Sequence, residues 1–467
     1  MLSGKFAGLG SRRLGRGGGS ALPGLVAERI DPNLLRRLAA QLGRGSVVVT
    51  GTNGKTTTSR MLADIARTAG WRVVHNRSGS NLMRGLTATL LEATNLACRV
   101  AEPENALGVF EVDEATLLHA VPILRPRVIV VTNLFRDQLD RYGEVDSILS
   151  IWRSALSRTG GSATVVLNAD DPSVAALANE TSYGRSGPRK NEKATNILFY
   201  GLDDMRYAAE AEHAADSRWC LRCGNEYRYW ALYFGHIGLW SCPGCGAERP
   251  KVQVSAQRVE LRGGSSSSIE LRTPGGMLSL NVPLGGLYNV YNALAAVAGA
   301  SALGLSSPSM ETGLSRFSAV FGRQERLMVQ GRAVEVLLCK NPAGLNQVLH
   351  TITAEPGQKR LLLLLNDGIA DGRDVSWIWD ADYELLAGRV CLAVASGRRG
   401  ADLALRLKYA GLGAALLLED DSGRALDRAL AATPVGECLY VLPTYTAMLA
   451  VREELARLSK GRHYWQD

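Results

Sequence analysis

The chain lacks any apolar run long enough to cross a bilayer. Its longest uncharged stretch, Thr273–Met310, is broken by Gly, Pro, Asn and Ser, whereas a spanning helix needs about 20 mainly apolar residues. The apolar heart of that stretch, NALAAVAGASALGL, reads as a buried core helix. The basic N-terminus MLSGKFAGLGSRRLGRGGGS lacks the apolar core of a secretory signal; residues 1–20 read as a basic tail or a short basic helix. Histidine is scarce, with six residues, and none is spaced so as to form a Cys–His nucleophile pair. That excludes a self-contained thiol hydrolase. The net charge of +8 is diffuse. It permits anionic partners, but there is no compact basic stripe or base-reading motif, so no nucleic-acid partner is expected.

A chain of 467 residues has room for two or three domains with substantial cores. Apolar runs at 46–50, 107–113, 128–134 and 163–171 alternate with helical stretches, the pattern of a mostly parallel sheet. Residues 184–194 read as a polar loop and GGSSSS (263–268) as a hairpin tip or flexible loop. The alternation resumes at 360–366, 390–396, 414–420 and 438–443. The expected fold class is therefore α/β. Residues 1–44 form a basic tail and lead-in helix, 45–320 a nucleotide-binding unit with an insert at about 216–250, and 321–467 a second, doubly wound α/β unit. The boundary is expected near Phe317–Arg326.

The run VVVTGTNGKTTTSRML sets Gly51, Thr52, Asn53, Gly54, Lys55, Thr56 and Thr57 between a buried strand and a helix. Backbone N–H groups of such a loop, with the helix N-terminus, form an anion cradle. Lys55 would neutralise terminal phosphate charge and the Thr56 hydroxyl would ligate Mg²⁺. The general Walker pattern wants Gly where this chain has Val49, so the loop is a variant. FEVDEA offers Glu111, Asp113 and Glu114 at a strand end, with Glu111 and Asp113 expected on one face; hard oxygen donors beside a phosphate loop suit Mg²⁺.

The eight cysteines divide unevenly. Cys220, Cys223, Cys242 and Cys245 form two C-x2-C pairs, which suit tetrahedral Zn²⁺ in a closed, structural site. The others are scattered in apolar contexts. With no secretion signal, this pattern argues for a reducing cytoplasm rather than a disulfide framework.

The variant TGTNGKTTT resembles the ATP loop of the Mur ligases and folylpolyglutamate synthetases. The resemblance continues in order along the chain. It implies that Glu111 contacts magnesium, with Glu114 the alternative. VVTNLFRDQLDRYGE matches the next family motif at Asn133, Asp137, Asp140 and Gly143, but Gln138 replaces the usual His, which weighs against a metal ligand there. Asn289 and Asn292 are implied to lie beside the adenine. Arg323, or else Arg326, is implied to contact phosphate, and Lys340 and Asn341 to face the nucleotide or the incoming carboxylate. The cysteine insert and DGRDVSW (371–377) narrow the resemblance to the MurT-like branch. There, this unit docks on a GatD-like glutamine amidotransferase and lends an Asp to its Cys–His pair; Asp374 matches, with Asp367 and Asp371 the alternatives. Only 45 residues precede the first strand, too few for the N-terminal UDP-binding domain of other Mur ligases.

The resemblance thus implies ATP-dependent amidation of the D-glutamate α-carboxylate of lipid II through an acyl-phosphate. The cofactors would be ATP, Mg²⁺ and structural Zn²⁺, and the location the cytoplasm, with transient contact at the inner membrane face. The alternatives are another amino-acid ligase of the superfamily, a zinc-ribbon P-loop ATPase acting on nucleic acid, or a scaffold with a dead ATP site. Intact Lys55, Thr56 and Glu111 argue against the last.

Overall fold

The computed structural model describes residues 22–76, 80–137, 145–178, 196–208, 216–318 and 323–459. The N-terminal tail, the 184–194 loop, Gln138, Asp140 and Gly143 lie outside the described residues. Six parallel strands open the first sheet: β1 (Ser46–Thr50), β2 (Arg72–His75), β3 (Ala106–Glu111), β4 (Val128–Val131), β5 (Thr164–Asn168) and β6 (Asn196–Leu202). A separate hairpin, β7 (Arg228–Phe234) and β8 (Ile237–Ser241), follows. The chain then re-enters the sheet with β9 (Val254–Arg262), β10 (Ser266–Thr273) and β11 (Gly276–Val282).

The nine strands run in the order β11-β10-β9-β6-β5-β4-β1-β3-β2. β9 lies parallel to β6, and β10 and β11 fold back antiparallel. Central strands such as SVVVT are buried along their whole length, because helices cover both faces and leave no polar side. The helix Leu287–Ala302 is buried almost all round, and its small residues let it pack closely: a Cβ on Gly299 would sit 3.2 Å from Leu62 and Val130. This is the core helix expected from the uncharged stretch. Among the described residues no helix is long and apolar enough to cross a membrane.

The second sheet has β12 (Arg323–Val329), β13 (Arg332–Leu337), β14 (Lys359–Leu364), β15 (Val390–Ser396), β16 (Leu416–Leu418) and β17 (Cys438–Pro443). Their order is β12-β13-β17-β14-β15-β16, parallel except for the β12–β13 hairpin. Apolar clusters on both faces make it a doubly wound unit.

Several expected strands are shorter than read. β4 stops at Val131 and β5 at Asn168 because the polar residues after them turn to bond the phosphate loop and the next helix. In GGSSSS only 263–265 make the turn; Ser266–Ser268 enter β10, and the Ser267 hydroxyl donates to the Leu284 carbonyl at 2.8 Å.

Candidate active site

The loop Gly51–Gly54 joins β1 to the helix Lys55–Thr68, so the helix opens at the carboxyl ends of β1, β3 and β4, where open α/β sheets bind ligands. Gly54 has φ +85°, and a Cβ there would lie 2.1 Å from Asn292 Oδ1. Gly51 has φ +133°, and its Cβ would lie 2.0 Å from Thr132 Oγ1. Neither position admits a side chain without displacing a neighbour.

Lys55 is buried, with Nζ 2.5 Å from the Gly51 carbonyl and 2.8 Å from Glu114 Oε1. Burial opposes its charge, but Glu114 and Glu111 outweigh it and hold the ammonium above its ordinary range. Burial in turn pushes the Glu114 carboxyl up, against the pull of Lys55. The Thr56 hydroxyl donates to Glu111 Oε2 at 2.5 Å.

Glu111 ends β3 and is fixed by two asparagines that the sequence reading missed. Asn76 exchanges two bonds with its backbone, at 2.8 and 2.9 Å, and Asn81 Nδ2 lies 3.5 Å from Oε1. Both follow β2, the edge strand beside β3, and polar residues just past the carboxyl end of a parallel strand were the available signal. Asp113 does not share a strand face with Glu111, because β3 has already ended. Its carboxylate instead accepts from the Ala115 N–H at 3.3 Å and holds the turn.

Residues from the second sheet complete the site. Lys340 Nζ reaches the Thr52 carbonyl at 3.2 Å and forms a tight ion pair with Asp137. The Asn341 and Asn53 amides bond reciprocally, at 3.0 and 3.2 Å, while Asn341 Oδ1 also caps the helix Pro342–Ala354 through Gly344 N at 2.8 Å. Across the cleft Asn292 donates to Asn289, and Asn289 to Gln324, at 3.1 and 2.8 Å. Gln324, also unforeseen, is buried at the start of β12, where the β12–β13 register shifts.

These groups surround one cavity of about 350 Å³, within the roughly 300–1,000 Å³ of small-molecule sites. Thr52, Asn53, Gly54, Lys55 and Thr57 line it on one side, Asn289 and Asn292 on a second, and Lys340 on a third. Phe135, Phe234, Tyr288 and Tyr291 give it an aromatic wall. The Arg323 side chain lies outside the described residues; Arg326 is exposed.

Asp374 does not line this cavity. It is exposed, and its Oδ1 accepts from Ser376 N at 2.8 Å. Asp371 is buried and spent on Thr446 and Gly368, and Asp367 faces Arg399 at 3.5 Å.

The four insert cysteines converge, with sulfurs all within 4.8 Å of one another and the closest pairs at 3.4 and 3.6 Å. A tetrahedral zinc–thiolate site has sulfur–sulfur edges of about 3.8 Å for bonds of about 2.3 Å. The donor set and spacing therefore fit zinc.

Residues 49–214 match the Mur ligase middle domain, and residues 338–448 match the MurT ligase C-terminal family. The subunit MurT of lipid II isoglutaminyl synthase (glutamine-hydrolyzing) from Streptococcus pneumoniae is 34% identical over 98% of this chain and 96% of its own length. The chain belongs to the MurT family of Mur ligases. The MurT subunit from Staphylococcus aureus (strain COL) is 30% identical, over 98% of this chain and 97% of its own. Among solved structures, a pseudomurein peptide ligase type C from Methanothermus fervidus superimposes with a TM-score of 0.65 at 22% identity, covering 88% of this chain and 78% of that one. The fold is thus that of the Mur ligases, with a four-cysteine insert, and the chain is a ligase. Mur ligases use ATP and Mg²⁺, and the residues present fit both. The glycine loop leaves space only for backbone, and the Thr56–Glu111 pair offers the oxygen donors that a hard cation takes.

Proposed function

We propose that this chain is the synthetase subunit that amidates the D-glutamate α-carboxylate of the lipid II stem peptide, using ammonia released from glutamine by a GatD-like partner. The observation that carries the reading is the convergence of two charged sets on one cavity. Lys55 and Glu111, the latter bonded by Thr56, come from the first sheet and Lys340 from the second, in a chain that aligns end to end with MurT subunits.

The chemistry divides among these groups. A carboxylate oxygen attacks the γ-phosphorus of ATP, the bond to the β-phosphate oxygen breaks, and ADP leaves. Ammonia then attacks the acyl carbon, the carbon–oxygen bond to phosphate breaks, and the amide forms after the nitrogen loses a proton. Lys55, now paired with Glu114 at 2.8 Å, would turn to the terminal phosphate. Thr56 and Glu111 would hold Mg²⁺, which neutralises charge developing on the phosphates. Lys340 would bring a second positive charge from the opposite sheet. The loop N–H groups and the helix start would orient the phosphates before reaction.

Asp374 is proposed as the acid lent to the partner's Cys–His pair. It is exposed, and the Ser376 hydroxyl and N–H hold its carboxyl below the ordinary range, which keeps it ionised and able to orient an imidazole. Trp379, 50% exposed beside Tyr409, supplies an apolar anchor on the same unit.

The test is co-expression with a GatD-like amidotransferase, then measurement of lipid II amidation with ATP and either glutamine or ammonium. Lys55→Ala should abolish both activities. Asp374→Asn should spare the ammonium reaction and lose the glutamine reaction. Equal loss of both would reject the shared triad, and a wild-type complex that leaves lipid II unchanged in mass would reject the whole reading.

A further inference from the structure

The cysteine insert, read from sequence as a closed, structural zinc site, reaches the phosphate loop through the tip of its hairpin. Phe234 ends β7 and is part of the aromatic wall of the cavity, stacked on Phe135 with centroids 6.2 Å apart and edge-on to Tyr291 at 5.3 Å. His236, fully buried between β7 and β8, lies against Phe135 at 4.5 Å. Its Nδ1 accepts from the Asp216 N–H at 3.3 Å. Its other ring nitrogen, Nε2, faces Asp171 Oδ2 at 3.4 Å.

Asp171 Oδ2 accepts from Leu134 N at 2.8 Å. Leu134 sits between two residues that hold the phosphate loop. Asn133 Oδ1 accepts from Asn53 N at 2.9 Å, and the Phe135 N–H donates to Thr52 Oγ1 at 3.0 Å. The next residue, Arg136, is clamped by Asp216 through its backbone N–H at 2.8 Å and its Nε at 2.5 Å. Segment 133–136 is therefore gripped by the phosphate loop on one side and by the base and tip of the insert on the other. The insert is itself seated on the residues just past β5, since Trp240 Nε1 donates to the Ala169 carbonyl at 3.0 Å and Gly238 N to that of Asp170 at 2.9 Å.

We infer that the zinc ribbon is a positioning element of the nucleotide site: the folded, metal-bound ribbon fixes Phe234 and segment 133–136, and through them the phosphate loop, so that zinc occupancy sets nucleotide affinity. The inference rests on the reading of the cavity as an ATP site. Phe234 forms wall, while Asp216 and His236 act through residues 133–136.

The experiment measures Mg–ADP binding to the full-length, zinc-loaded chain with a fluorescent ADP analogue. Zinc content and hydrogen exchange over residues 132–137 are followed in parallel. Phe234→Ala should weaken binding about tenfold, and Phe234→Tyr, which keeps the ring, should restore it to within about twofold. Asp216→Ala, which removes a clamp without opening the core, should weaken binding at least threefold and speed exchange in 132–137 while zinc stays bound. In the assembled enzyme the KM for ATP should rise in both weakened variants, with kcat at saturating ATP little changed. Chelation of zinc should weaken Mg–ADP binding in step with metal loss. If wild type binds Mg–ADP and both Phe234→Ala and Asp216→Ala bind it within twofold of wild type with zinc in place, the ribbon is only a staple and the inference falls alone. If wild type does not bind Mg–ADP, the ATP-site reading falls and takes this inference with it.

Discussion

Asn341→Ala removes one of the two contacts, with Lys340 to the Thr52 carbonyl the other, by which the second unit holds the glycine loop. Asn341 is 1% exposed and its side chain makes three bonds: two with the Asn53 amide and one that caps the helix Pro342–Ala354. Loss of an asparagine cap costs about 1 kcal/mol. Loss of the amide pair costs about 0.5–1.5 kcal/mol per bond, more where Asn53 is left without a partner. The sum is about 2–4 kcal/mol, read as a shift in urea midpoint at constant m-value. On the proposed reading part of that energy would align Asn53 for nucleotide, so KM for ATP should also rise, about tenfold for each 1.4 kcal/mol so used. Asn341→Asp separates the two roles. Aspartate caps as well as asparagine, but it has no N–H for Asn53 Oδ1 and sets two acceptors against each other. The aspartate variant should recover most of the stability and keep the raised KM. An Asn341→Asp enzyme with wild-type KM would refute the view that the amide pair positions the loop.

Three further outcomes are expected. Gly54→Ala should fold yet bind nucleotide poorly, since φ +85° costs an alanine about 1–2 kcal/mol and its Cβ would push on Asn292; isothermal titration with Mg–ADP checks this. Asp371→Asn should destabilise the second unit by about 1–3 kcal/mol, because its carboxylate accepts from Thr446 N, Thr446 Oγ1 and Gly368 N and an amide would set donor against donor; exposed Asp374→Asn should leave the melting temperature unchanged. Burial pushes the Glu335 carboxyl, which faces Glu355, Arg326 and Gln324, up to about 7. Between its ordinary range and that value the folded state holds a proton that the unfolded state releases. Glu335 should therefore lower stability as pH rises through that window, by on the order of 1–3 kcal/mol, and urea midpoints of Glu335→Gln should lack that decline.

The parts of the fold legible in sequence were those where local pattern and burial agree. Buried parallel strands such as SVVVT and CLYVLP carry no polar side, so their runs give their positions almost to the residue. GTNGKT was legible because a left-handed glycine at a helix start has few other uses. The two C-x2-C pairs were legible because metal ligation needs only short spacing and the folded chain brings the sulfurs together. Strand ends were read too long wherever a polar residue leaves the sheet to serve the loop, as Asn133 and Asp171 do.

What could not be read were contacts between segments remote in sequence, and these finish the site. Asn53 meets Asn341 across 288 residues, Arg136 meets Asp216 across 80, and Gln324 meets Asn289 from the start of β12 in the other sheet. None has a local period or spacing; each exists because parallel crossovers bring strand ends and distant loops to one edge of the sheet. The insert shows this most clearly. Its cysteines predict only its own closure, yet its hairpin tip and base lie against residues 133–136 because β6 and β9 flank its entry and exit beside β5, and that edge already holds Asp170 and Asp171. On the reading proposed above, a metal that stabilises an insertion at that edge would also act on whatever the edge supports, here the glycine loop at the head of the helix Lys55–Thr68.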